Sequence, residues 1–319
     1  MRRLRRGDRM VLIAQRLFQE PHKVFPLSTF TESLGAAKST ISEDLSALRA
    51  LCEEFQLGRI ETLAGAAGGV RYTPLCTPAQ IAAIAEDLAA RLRQPSRILP
   101  GGFLYMTDLL SLPSVTSRLG DVFATFFADR RPGVVLAMEV KGIALALMTA
   151  RAFNVPLVTI RRGGRAMEGA EGASVTVNYV SGSSRAVQPM TLPLRAVAPG
   201  ARALFIDDFL RGGGTARGVH DLMRECRAEV VGIGVLIETS QPREKLVDEY
   251  VALLTFDGVD EAAGVVRINP SRRALHRVSA AASGDPTAGS GPAAHARGAP
   301  ASMKLKPPAA VPPKPAERS

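Results

Sequence analysis

Ala203-Leu204-Phe205-Ile206-Asp207-Asp208-Phe209-Leu210-Arg211-Gly212-Gly213-Gly214-Thr215 is the stretch on which the fold turns. A short apolar run bounded by a turn reads as a buried strand. Two adjacent carboxylates follow, then a glycine-rich turn that opens a helix. Glycines let backbone N–H groups close on a phosphate, and a helix N-terminus adds partial positive charge. Asp207 and Asp208 fall at the strand's C-terminal end, where open parallel sheets bind ligands. Carboxylates there suit sugar hydroxyls or a hydrated Mg²⁺ and repel a bare phosphate. The combination predicts a pocket for a sugar phosphate. The bland alternative is an ordinary strand–turn–helix with a surface Asp pair, but paired carboxylates beside three glycines have little packing use.

From Leu204 to Thr215 the segment resembles the ribose-phosphate signature of type I phosphoribosyltransferases: apolar strand, acidic pair, three residues, Thr-Gly-x-Thr. One position departs. Gly212 stands where the signature has its first threonine, which removes a hydroxyl donor and keeps the backbone donors. Arg211 falls where some purine enzymes of the group carry an acidic residue, and a guanidinium accepts no proton. A Walker A loop is excluded, since no Lys-Ser/Thr follows the glycines.

The chain has 319 residues, room for about two domains. Apolar residues make up 46%, enough for a real core, although tryptophan is absent and the core must rest on Leu, Val, Ile and Ala. The net charge is +10, and five arginines lie within the first nine residues. Basic ends on a nearly balanced body fit a polyanionic partner, although solvated tails explain the total equally well. Cys52, Cys76 and Cys226 are far apart and match no metal spacing or disulfide framework. A reduced, cytoplasmic setting is expected. No membrane span is expected, because no apolar stretch approaches the ~18–20 residues needed to cross a bilayer, and no metal-ligand cluster is expected.

The first 74 residues have their own pattern. A helix over 8–20 carries Met10, Ile13, Leu17 and Phe18 on one side. Ser28 is the expected N-cap of a short helix to Leu34, and Gly35 its terminator. A third helix over 38–55 keeps Ile41, Leu45, Leu48, Leu51 and Phe55 on one face. Strands at 59–63 and 70–73 flank a glycine-rich tip. Three helices and a hairpin are the winged helix-turn-helix order, with the third helix entering the major groove N-terminus first. Lys38, Ser39, Thr40 and Ser42 are candidates to reach phosphates and base edges of double-stranded DNA. Arg49 lies farther along, and Arg71 on the wing is placed to reach the adjacent backbone or minor groove. Glu43 and Asp44 count against a purely electrostatic contact. A helical bundle used only for dimerisation is the alternative.

A linking helix is expected over 77–93 and a turn over 95–102. From 114 onward helices and strands alternate: strands at 134–138, 157–161, 203–206 and 230–237, with helices between them. Such alternation predicts an α/β domain with a mostly parallel sheet. An inserted strand pair, 174–180 and 186–192, is the usual place for a flap. Beyond Val278 the chain is Ala, Gly, Pro and Ser with scattered cations, which cannot bury enough apolar surface to fold. The expected organisation is a DNA-binding domain over 1–74, an effector domain over 75–277 and a disordered basic tail over 278–319.

Met138-Glu139-Val140-Lys141-Gly142-Ile143 closes the first strand of the α/β domain and opens its helix. Lys141 supplies a cation, and Gly142 permits close backbone approach. A surface lysine at a strand–helix junction is the plainer reading. In phosphoribosyltransferases the corresponding loop holds the pyrophosphate of phosphoribosyl pyrophosphate. On the flap, the segment from Tyr179 to Arg185 is placed to close over a ligand, with Arg185 near the pyrophosphate.

A winged helix ahead of a phosphoribosyltransferase-like domain resembles the purine operon repressors of Gram-positive bacteria, over about residues 5–270. The stretches that carry the resemblance are Ser39–Leu45, Gly65–Tyr72, Arg97–Gly102, Asn178–Ser184 and Asp207–Phe209. It implies a homodimer that binds operator DNA near purine genes, phosphoribosyl pyrophosphate as effector, alone or with Mg²⁺, and no catalysis. The competing hypothesis is an active purine phosphoribosyltransferase with an added N-terminal domain. Against it stand Gly212, Arg211 and the want of a purine-reading aromatic near the 235–239 strand end.

Overall fold

A computed structural model describes residues 4–65, 68–163, 173–181 and 186–282. Helices α1 (Arg6–Gln19), α2 (Leu27–Leu34) and α3 (Lys38–Glu54) precede an antiparallel pair, β1 (Arg59–Leu63) and β2 (Gly69–Thr73). Ile13 and Leu17 of α1 pack with Phe30, Ile41, Leu45 and Leu48, but Leu51 and Phe55, expected on the same face of α3, are exposed, and Cys52 is buried instead. Gly35, at φ 59°, ends α2 in the left-handed region that glycine adopts freely. Ser28 is not the cap. The helix begins at Leu27, two residues earlier, behind Pro26. Phe25 is pinned to Val70 by two backbone hydrogen bonds of 2.9 Å, so the chain turns directly from that bridge into α2.

Thr77 caps α4 (Pro78–Leu92), accepting from the Gln80 backbone while the Gln80 side chain accepts from Thr77 N–H. The expected turn over 95–102 is a small hairpin of β3 (Ile98–Leu99) and β4 (Phe103–Leu104). Then come α5 (Thr107–Leu110), α6 (Pro113–Phe126), β5 (Val134–Met138), α7 (Ile143–Phe153) and β6 (Leu157–Arg162). The flap pair is β7 (Ser174–Val180) and β8 (Val187–Pro193). After it run β9 (Arg202–Leu210), α8 (Gly214–Glu225), β10 (Glu229–Thr239), β11 (Val251–Asp260), β12 (Val265–Pro270) and α9 (Arg272–Ala282). The sequence reading stopped short of β11, β12 and α9, and α9 crosses the expected 277/278 boundary. The rest of the expected tail lies outside the described residues.

One eight-stranded sheet has the order β12-β11-β10-β9-β5-β6-β8-β7. The five central strands, β11 to β6, are parallel, and the outer three pair antiparallel. Side chains alternate across the sheet. Leu204 and Ile206 of β9 join the face covered by α4, α6 and α7, while Ala203 and Phe205 join the face covered by α8. Chain order runs outward from β5 to β6 on one side and from β9 to β10 and β11 on the other. The junction of β5 and β9 is therefore the switch point, where the following loops part and leave a crevice.

Candidate effector pocket and DNA-reading face

A cavity of ≈ 420 Å³ occupies that crevice. The loop after β5 forms one wall with Glu139, Val140 and Lys141, and the loop after β9 forms another, from Asp207 to Thr215. The sequence signature and the Lys141 loop, about 65 residues apart in the chain, thus face one space. Gly142 lies behind the wall. A Cβ there would come within 2.9 Å of Asp207 Oδ1, so a glycine is what lets the two loops touch.

β9 runs on to Leu210, so the acidic pair sits inside the strand rather than beyond it. Asp207 is buried, and Asp208 N–H donates to its Oδ1 at 2.9 Å. Burial pushes the Asp207 carboxyl well above the ordinary range, and the neighbouring Asp208 charge adds to the rise. Arg162, at the end of β6, lines the cavity and opposes that shift. Arg162 is not among the residues the sequence pointed to, nor are Phe103 and Phe256, which also line the cavity; Ser181, within the expected flap segment, lines it too.

Phe256 overturns one part of the sequence argument. It pairs in register with Thr239 across β10 and β11, so an aromatic ring does stand at that strand end, beside Phe209 at 6.1 Å between ring centroids. Tyr179 is displaced from its expected role. It is buried in the hydrophobic cluster under α8, where its hydroxyl donates to Gln188 Oε1 at 3.3 Å, and it does not line the cavity. Arg185 lies outside the described residues.

On α3, Lys38, Ser39 and Ser42 are exposed and Thr40 half-buried, all within its first two turns. Arg49 is tied back to the wing, donating through Nε to the Ile60 carbonyl at 3.1 Å and through Nη2 to Thr62 Oγ1 at 2.6 Å. Arg71 pairs with Glu61 across the hairpin at 2.8 Å and holds that carboxyl below its usual range. Asp44 does not oppose DNA. It is 1% exposed, on the apolar stripe of α3, and is held by Arg9 at 2.7 Å.

The two halves touch. The Thr77 hydroxyl donates to Gln56 Oε1 at 3.3 Å, and the His22 ring lies 5.5 Å from that of Phe153, the last residue of α7. His22 belongs to the α1–α2 connection, and its N–H donates to the Tyr72 carbonyl on the wing. Burial lowers its imidazole pKa. No helix among the described residues is long and apolar enough to cross a membrane.

Residues 5–74 match the family described as bacterial purine repressor, N-terminal, and residues 108–268 match the phosphoribosyl transferase domain. Over 258 residues the chain is 43% identical to the purine biosynthesis transcriptional repressor PurR of Bacillus subtilis (strain 168), covering 81% of this chain and 90% of that one. It is 39% identical to a probable purine biosynthesis transcriptional regulator PurR of Streptococcus pneumoniae, over 81% of this chain and 93% of that one. Identity is 35% to the purine biosynthesis transcriptional activator PurR of Lactococcus lactis, over 81% and 94%. With its winged helix joined to a phosphoribosyltransferase-like parallel-sheet domain, the chain belongs to the family of purine biosynthesis transcriptional repressors of Gram-positive bacteria.

Proposed function

We propose that this chain binds operator DNA of purine biosynthesis genes and takes phosphoribosyl pyrophosphate as its effector. One observation carries the effector reading: the Lys141 loop, the acidic pair and the glycine loop face a single cavity at the sheet's switch point. The Gly212–Thr215 turn at the start of α8 suits the 5′-phosphate. Asp207 and Asp208 suit the ribose hydroxyls, and Lys141, with Arg162 opposite, suits the pyrophosphate. Among the described residues no cluster of three or more metal-ligating side chains exists. Two carboxylates fit a Mg²⁺ that arrives with a pyrophosphate, since Mg²⁺ commonly uses one or two carboxylates together with ligand phosphates. Its chemistry there is charge neutralisation.

Operator recognition falls to the exposed start of α3, with Lys38 on phosphate and Ser39, Thr40 and Ser42 toward the bases. Arg49 serves mainly to hold the wing against α3, and Arg71 pairs with Glu61 within the wing. A homodimer sets two such helices on two half-sites. The domain reading is 1–74 for DNA, with α4 assigned to the effector domain because it packs on β12 and α9. Such a regulator works beside the chromosome, in the cytoplasm. Fluorescence anisotropy on DNA upstream of purine genes, with and without phosphoribosyl pyrophosphate, tests the reading. Release on effector addition is expected, and an operator affinity indifferent to effector refutes it.

Phe256 keeps a second reading in play, since an aromatic wall beside the ribose site is where an enzyme would hold its base. Gly212 and Arg211 argue for a receptor without turnover. Incubation with phosphoribosyl pyrophosphate, Mg²⁺ and each purine base decides. Nucleotide formation at enzyme-like turnover would make the pocket a catalyst.

A further inference from the structure

The glycine loop has a second layer behind it. Half-buried Lys245 donates through Nζ to the Arg211 carbonyl at 2.5 Å and to the Thr239 carbonyl at 2.8 Å. Leu246 N–H donates to the Gly212 carbonyl at 2.9 Å. Gly213, at φ +83°, lies so close that a Cβ would stand 3.1 Å from Leu246 N. The carbonyls of Arg211 and Gly212 are thus both occupied by the 245–246 segment. That segment is absent from the cavity lining, while Arg211, Gly212 and Gly213 all line it. In a planar trans peptide, C=O and N–H point in opposite directions. Fixing those two carbonyls outward turns the N–H groups of Gly212 and Gly213 toward the cavity. A cation on the carbonyl end of a peptide also polarises its N–H.

We propose that Lys245 is the positioning residue of the 5′-phosphate loop, a cation placed behind the peptide groups rather than in the pocket, which presets two backbone donors for a sugar phosphate. The arrangement answers the loss of a hydroxyl at Gly212, because it strengthens the donors that remain. Burial lowers the Lys245 pKa, so the ammonium is kept there against a desolvation cost that its carbonyl partners must offset. The inference rests on the effector reading above and concerns only its phosphate end.

Calorimetric titration of the full chain with three probes separates the possibilities: ribose 5-phosphate, inorganic pyrophosphate and phosphoribosyl pyrophosphate. Lys245→Met should weaken ribose 5-phosphate and phosphoribosyl pyrophosphate by about 10- to 100-fold, the range for losing charge-assisted hydrogen bonds. Pyrophosphate affinity should change less than about 2-fold, since its expected place is the Lys141 loop. Lys245→Arg keeps a charged donor and should recover most of the loss. Ribose 5-phosphate binding as in wild type by Lys245→Met overturns the proposal. So does an equal loss for all three probes, which marks general damage. If Lys245→Met does not fold, Lys245→Gln decides in its place: it drops the charge and keeps a polar head, and an unchanged ratio of ribose 5-phosphate to pyrophosphate affinity in it refutes the proposal. A wild-type chain that binds none of the probes refutes the effector reading itself.

Discussion

Arg9→Met should unlatch the recognition helix. Arg9 reaches Asp44 with Nε at 2.7 Å and Nη2 at 3.3 Å, a bidentate grip. The arginine side chain is 14% exposed and the carboxylate 1% exposed, so the pair is largely out of water. Removing one partner of a buried pair costs about 3–5 kcal/mol, because the other charge stays buried and uncompensated. Arg6 remains 3.5 Å from Asp44, but at 63% exposure it is worth at most about 1 kcal/mol. The expected loss is therefore about 2–4 kcal/mol of local stability. Replacing both partners by apolar residues, Arg9→Met with Asp44→Leu, should be neutral within about 1 kcal/mol, since two apolar side chains fit the stripe of Ile41 and Leu45.

A two-domain chain is a poor subject for one unfolding transition, so the assay is amide hydrogen exchange over α1 and α3. Arg9→Met should speed exchange there by about 30- to 800-fold, from ~2–4 kcal/mol at 1.4 kcal/mol per decade. The double variant should restore protection. If the interaction energy of the cycle is under about 0.5 kcal/mol, the latch does not exist. Operator affinity gives a second reading. A carboxylate facing the DNA would, on removal, tighten binding, so the double variant should stay within about 2-fold of wild type.

Asp207→Asn tests the buried acid. A carboxyl whose pKa rises on folding stabilises the fold below the ordinary carboxylate range and loses that contribution as pH climbs through its raised value. Hydrogen-exchange protection factors over β9 in wild type should therefore fall relative to Asp207→Asn across that climb, and parallel profiles would contradict it. Gly142→Ala keeps an allowed backbone, φ −72°, yet sets a Cβ 2.9 Å from Asp207 Oδ1. Overpacking of about 1–3 kcal/mol should displace the Lys141 loop and weaken pyrophosphate more than ribose 5-phosphate in calorimetry. An unchanged pyrophosphate affinity would mean that the loop is not there to be displaced. His22→Ala removes the ring against Phe153, at the far end of the helix that opens from the Lys141 loop. Operator and effector should each bind it alone, while the factor by which one weakens the other, 5- to 150-fold for a coupling of ~1–3 kcal/mol, should shrink toward one. A full factor would favour direct competition over a relay through α7, since being on the way between two sites is no proof of coupling.

Much of the pocket was legible because its signals are contiguous. Asp207 to Thr215 lie in one strand–turn–helix, and Lys141 follows an apolar strand in the same way. Arg162 and Phe256 were not legible, for they reach the cavity only through strand order. Phe256 is 17 residues beyond Thr239 in the chain and beside it in the sheet, and nothing local marks that register. Tyr179 failed by parity, since its side of β7 packs on α8 beside Gly218. Asp44 was misread for a different reason. Position 44 lies three residues from Ile41 and four from Leu48, so helical spacing already placed it on the buried face. The cation that neutralises it, Arg9, stands 35 residues earlier in the chain, and nothing local marks that pairing.

The mixture of charges in the cavity is itself a filter. Lys141, Arg162 and Arg211 attract anions, while Glu139, Asp207 and Asp208 line the same space and repel them. Specificity is a difference of affinities, and a repulsive element sharpens it. A free phosphate gains the glycine loop but meets the acidic pair across an empty middle. A sugar that carries phosphate at one end and pyrophosphate at the other puts hydroxyls against the carboxylates, turning a repulsion into hydrogen bonds. Asp207 strengthens this discrimination when neutral, because it can then donate as well as accept. If the pocket takes such a sugar, as proposed above, the buried acid, a liability for stability as pH rises, is also what would set an activated sugar apart from inorganic anions.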